Sequence, residues 1–116
     1  MGEIHRIGGG SVGNLRLKLA EEKLDPPGIS VLKAPAPVDV VAQVRSAFPG
    51  ATRLLEAAKV IGTTSEEAIR QAGFELLPDP TRRFPNHHRI IHPAGAAGFT
   101  DENLARLSAA FSETTE

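Results

Sequence analysis

"PNHHRIIHP", residues 85–93, holds three of the four histidines in this 116-residue chain. Its backbone form decides the fold. On a helix, His88 and His92 would share a face, the spacing of a two-histidine zinc site. The local residues oppose a helix. Pro85 and Pro93 bracket the run, and Ile90 and Ile91 are β-branched. The stretch therefore predicts a strand. His88, Ile90 and His92 then share one face, and His87, Arg89 and Ile91 share the other. Side chains four apart on a strand stand roughly 13 Å apart. That is too far for one ion with Zn–N bonds of about 2 Å. No metal is expected, and the strand is read as lining an anion-binding cleft.

Working outward, "FELLP" (74–78) predicts a strand and "DPTRRFPN" (79–86) a loop. Between Asp79 and Asp101 there is no carboxylate, while Arg82, Arg83 and Arg89 sit there with three histidines. Such a positive island attracts anions. After it, Thr100 caps a helix over "DENLARLSAAF", with Asp101 and Glu102 in the positive first turn. Phe99 and Leu104 have the spacing of a hydrophobic staple. The tail 112–116 is expected to fray.

Towards the N-terminus, Val40, Val41, Val44, Ala47 and Phe48 form a helical stripe closed by Pro49-Gly50. Leu54, Leu55, Ala58 and Ile61 form a second stripe, closed by Gly62. Thr64 and Glu67 have capping-box spacing for a helix ending at Gly73. "ISVL" (29–32) predicts a buried strand after the "DPPG" break. "EIHRIG" (3–8) predicts a strand running into the glycine loop 8–14. "NLRLKLAEEKL" (14–24) fits strand or helix. The order of elements predicts one α+β domain over 1–116, a small mixed fold with short strands and three to four helices.

Composition narrows the function. Apolar residues make up 41% and charged residues 23%, with five Phe, no Tyr and no Trp. The core must come from Leu, Ile, Val and Ala. Having no cysteine removes disulfides, thiol nucleophiles and Cys-ligated metals. No apolar run approaches the roughly 18 residues that span a membrane. No secretory signal is visible. A cytoplasmic site of action is expected, and export would need dedicated machinery. Gly8, Gly10 and Gly13 match G-x-G-x-x-G, but the next clear strand runs into Lys33 where a Rossmann fold needs an acidic residue. A glycine loop whose amides approach phosphate fits better.

Three ordered pieces carry a resemblance: "HRIGG" leading to "NLRLK", "PPGISVL", and "NHHRIIHP" followed by an amphipathic helix. From about Ile4 to Phe111 the chain resembles small ADP-ribosyltransferase-like bacterial toxins, of the type VI secretion and toxin–antitoxin kind. The resemblance implies an ADP-ribosyltransferase-like fold with NAD as substrate. It implies delivery into a competitor's cytoplasm, and a cognate immunity protein or antitoxin as partner. Arg6 matches the arginine that anchors the dinucleotide, and Ser30 the serine beside the nicotinamide ribose. Gly8, Gly9 and Asn14 would approach the cofactor from the loop, and Asn86 and His87 from the third motif. Many relatives carry a glutamate in that motif. Here no Glu or Gln lies between Glu75 and Glu102, so Asn86, His87 or His88 must serve. Arg6, Ser30 and His88 are the expected catalytic residues.

Two other readings compete. An RNA-directed toxin would use His87, His88 and Arg89 for acid–base chemistry and phosphate contact. A non-enzymatic immunity or interaction module would use none of these for chemistry. The few aromatics argue against a stacking platform for nucleic acid.

Overall fold

The computed structural model describes residues 3–22 and 27–115. The strands are β1 (Glu3–Ile7), β2 (Gly28–Ala34), β3 (Val60–Thr64), β4 (Glu75–Pro78), β5 (His87–Ile91) and β6 (Ser112–Thr115). The helices are α1 (Val12–Glu22), α2 (Pro37–Ala47), α3 (Thr52–Ala57), α4 (Glu66–Gln71) and α5 (Asp101–Ala109), with a 3₁₀ turn at Gly95–Gly98. The strands form one sheet in the order β4-β5-β2-β1-β3-β6, with every pairing antiparallel. Strand alternation gives each face its own core. On one face Ile4, Ile29, Val31 and Ile90 meet Leu15 of α1, Ile69 of α4 and Leu104 and Leu107 of α5. On the other, Leu32, Ala34 and Ile61 meet Val40 and Val44 of α2 and Ala58 after α3.

The histidine stretch is a strand, as its prolines and isoleucines require. β5 pairs with β2 through Ile29↔Ile90 and Ser30↔Arg89, and with β4 through Leu76↔Ile90. Thr100 caps α5, its Oγ1 accepting from the Asn103 amide at 3.1 Å. Gly73 ends the α4 segment at φ +92°. Arg16 pairs with Asp101, tying α1 to α5.

Four details differ from expectation. First, Val60–Thr64 is a strand, where the stripe through Ile61 predicted helix. Four of its five residues are β-branched, and it lies between β1 and β6. Second, the tail does not fray. Ser112–Thr115 add an edge strand, in register from Ile61↔Thr114 to Thr63↔Ser112. Third, helix begins at Val12 inside the expected glycine loop, started by Ser11, whose carbonyl accepts from Leu15 N at 3.0 Å. This settles 14–22 as helix and brings the α-helices among the described residues to five. Asp25 and Pro26 of the "DPPG" break lie outside the described residues.

Fourth, the α4 cap is Ser65, whose Oγ accepts from the Ala68 amide at 3.1 Å. Thr64 is instead buried in β3, and its hydroxyl has no hydrogen-bond partner among the described residues. Ser65→Ala is therefore expected to cost about 1 kcal/mol. Thr64→Val, which removes an unsatisfied hydroxyl, is expected to add about 1 kcal/mol. Urea unfolding reads both, and opposite signs would return the cap to Thr64.

Candidate functional site

β1 and β2 are paired only along Glu3↔Ala34, Ile4↔Lys33 and His5↔Leu32. Beyond that point they part. Arg6 and Ile7 stay with β3, facing Gly62 and Ile61, while Gly28 to Val31 stay with β5. A cleft of about 230 Å³ opens where the strands diverge. His5, Arg6, Gly8 and Asn14 line it from one side, and Ser30, Val31 and His87 from the other. Leu54 and Ala57 of α3, with Phe84 of the β4–β5 loop, add an apolar wall. On an ideal strand His5 and Arg6 point to opposite faces. Both reach the cleft because it lies in the gap between strands.

Arg6 is only 2% exposed. Its Nη1 donates to the carbonyls of Ile7 at 2.8 Å and Gly9 at 2.9 Å. These bonds hold the glycine turn, where Gly8 and Gly9 sit at φ +94° and +90°. A side chain would be strained at either position. Gly8 N also donates to Val60 O at 2.8 Å, fixing the turn to β3. Asn14, in the first turn of α1, has a buried Oδ1 without a hydrogen-bond partner among the described residues. An acceptor so placed suits a ligand N–H.

The four histidines fall into distinct environments. His5 is fully buried. Its Nε2 donates to Ala34 O at 2.9 Å and its Nδ1 accepts from the Thr63 hydroxyl at 2.9 Å. Both nitrogens thus lace β1 to its neighbours. His88 lies on the face opposite the cleft residues Ser30 and His87, and its Nδ1 donates to Asn86 O at 2.9 Å. His92 packs edge-on against Phe74, with ring centroids 5.1 Å apart, and its Nδ1 accepts from Ala94 N. His87 lines the cleft, and its Nδ1 donates to Asp79 O at 2.8 Å.

Of the expected site residues, Arg6, Gly8, Asn14, Ser30 and His87 come together in the cleft. Gly9 stands behind the wall as an acceptor for Arg6. Asn86 is engaged elsewhere. Its amide donates to Lys33 O at 2.8 Å and exchanges hydrogen bonds with the Gln43 amide. It anchors the loop to β2 and α2. His88, expected to be catalytic, is turned away, and its neighbour His87 occupies the cleft position. A one-residue offset on a strand reverses the face.

No family model, no curated protein and no solved structure matches the chain. Its own geometry must therefore carry the functional reading.

The positive island also disperses. Arg89 donates to Asp79 Oδ2 at 2.9 Å. Arg83 stacks on the Phe48 ring, 4.8 Å from its centroid, and donates to Ala47 O at the end of α2. Among the described residues, Arg6, set apart in sequence, is the arginine that lines the cleft. No Asp or Glu lines the cleft among the described residues. Sequence reasoning missed Asp79, which meets both His87 and Arg89 across the β4–β5 hairpin. The "DP" pair at 79–80 marks a turn but carries no signal of that pairing.

Proposed function

We propose that this chain is a toxin or effector domain of the ADP-ribosyltransferase kind that takes NAD as substrate in a target cell's cytoplasm. Secretion machinery would deliver it there, and a cognate immunity protein or antitoxin would block the cleft. The supporting observation is that Arg6 on β1, Ser30 on β2 and His87 on β5 converge on one cleft although 81 positions separate the first from the last. These are positions from the three ordered motifs. Arg6 supplies fixed positive charge for a pyrophosphate. Asn14 and Ser30 supply polar groups for an amide and for ribose hydroxyls. The apolar wall of Leu54, Ala57 and Phe84 keeps water scarce, which strengthens each polar contact. Among the described residues no helix is long and apolar enough to cross a membrane.

The RNA-directed alternative needs an acid–base pair. His87 and His88 point to opposite faces of β5, so they do not form one in the cleft. An interaction module would need none of this convergence.

Ser30→Ala is the cleanest test, because Arg6 also supports the glycine turn. Induced expression in a bacterial host should arrest growth and lower cellular NAD. Ser30→Ala should relieve the arrest and reduce nicotinamide release by the purified protein at least about tenfold, a loss of about 1.4 kcal/mol in transition-state stabilisation. Its unfolding midpoint is measured alongside, so that a loss of folding is told apart from a loss of chemistry. A folded wild-type protein that neither binds NAD nor slows growth overturns the proposal. Arrest without NAD loss moves the reading to RNA or a protein target.

A further inference from the structure

We infer that His87 is the catalytic general base of this cleft, acting through Nε2, and that Asp79 and Arg89 are positioning residues that hold its ring. The inference rests on the NAD reading above, but its argument is geometric. A carbonyl oxygen can only accept, so the 2.8 Å bond to Asp79 O requires the proton on Nδ1. In the neutral ring that leaves the lone pair on Nε2. His87 lines the cleft and Asp79 does not, and with Nδ1 committed to Asp79 O, Nε2 is the ring nitrogen left for a ligand. Nε2 has no hydrogen-bond partner among the described residues. His5, the other cleft histidine, has both nitrogens engaged within the sheet. One imidazole in the cleft is therefore set up to accept a proton.

The surroundings of His87 are arranged around it. Asp79 Oδ2 lies 3.4 Å from Nδ1 and 2.9 Å from Arg89 Nη2. The backbone holds this group in place, since Asp79 N donates to His87 O at 3.0 Å. Arg89 reaches Asp79 across the space over Gly28, where a Cβ would fall 2.3 Å from Arg89 Cγ. Arg6 and His5 face His87 across the cleft from β1. The place of the missing third-motif glutamate is thus taken by a histidine whose ring Asp79 holds at Nδ1.

The step is written with water as acceptor. One water proton passes to Nε2 as the water oxygen bonds to the ribose C1′. The C1′–nitrogen bond breaks with its electron pair going to the pyridine nitrogen. Neutral nicotinamide leaves, and the imidazolium returns its proton to solvent. A hydroxyl on a target molecule would react in the same way.

The test measures nicotinamide release from NAD by the purified full chain across pH, with NAD affinity measured separately. His87→Gln should lower the rate on the order of 100-fold while changing NAD affinity less than about threefold. Asp79→Asn and Arg89→Met should each lower the rate with NAD affinity nearly unchanged, as expected of groups that act through His87. Nitrogen NMR of the imidazole should show the Nδ1-protonated tautomer in the neutral form. A His87→Gln rate close to wild type, Asp79→Asn and Arg89→Met rates that both match wild type, or an Nε2-protonated ring each overturns the inference while leaving NAD use intact. A wild-type chain that does not bind NAD overturns the underlying reading instead.

Discussion

Arg6→Ala is expected to lower folding stability by roughly 3 kcal/mol or more, from two charge-assisted hydrogen bonds worth about 1.5–3 kcal/mol each. The guanidinium is 2% exposed, so water cannot replace these bonds for the Ile7 and Gly9 carbonyls. A loss of this size should move the urea midpoint down by about 2 M, given slopes near 1.5 kcal/mol/M for a domain of this size. Arg6→Lys should recover only part of the loss, because an ammonium on a flexible stem does not reproduce the planar fork. An Arg6→Ala protein that unfolds at the wild-type urea concentration would mean the glycine turn stands without the guanidinium. Any loss of activity in Arg6→Ala thus reports on folding as well as chemistry, and is read only beside its unfolding curve.

The other large effect is expected at Phe74. Phe74→Ala should cost about 3–5 kcal/mol and lower the melting temperature by more than about 10 °C. The ring is 1% exposed and packs on His92 at 5.1 Å and Phe99 at 5.6 Å between centroids. It also belongs to the cluster containing Ile69, Ile90 and Leu104, so it joins α4, β5 and α5. Phe74→Leu should recover much of the loss by refilling part of the space. Calorimetry of the three proteins checks the order. Equal melting temperatures would show that the remaining side chains collapse into the gap.

Local signals in the sequence were sound where chemistry and spacing agreed. Pro85, Ile90, Ile91 and Pro93 identified β5, and Thr100, Asp101 and Glu102 identified the start of α5. β3 was hidden because Leu54, Leu55 and Ala58 continue into Ile61 at helical spacing. Its own residues Val60, Ile61, Thr63 and Thr64 carried the contrary β-branched signal. β6 was hidden because "SETT" is polar and exposed on all four residues, and becomes a strand only by pairing with β3. The N-terminal leucines alternate at Leu15, Leu17 and Leu19, which left helix and strand unresolved there.

The cleft was legible in part. Arg6, Ser30 and His87 could be named from ordered motifs. The choice of His87 over His88 could not, because it depends on which face of β5 meets the divided sheet. Asn86 looked like a ligand group, but its amide pairs with Gln43. The contact between Asp79 and His87 spans a hairpin of no fixed spacing, so no pattern announces it. The parting of β1 from β2 is a property of the tertiary pairing alone.

The strand order has a further consequence for when activity arises during folding. Arg6 sits opposite Gly62, and Ser30 sits opposite Arg89. Each site strand therefore needs a neighbour from far along the chain, and loop-closure entropy must be overcome before those contacts contribute. Such high contact order makes assembly slow compared with a helical bundle. Helices α1 and α5 can form early from local interactions, but they contain no complete constellation. The cleft exists only after β5 has docked on β2 and β3 on β1. A partly folded chain therefore lacks the cleft that brings Arg6, Ser30 and His87 together.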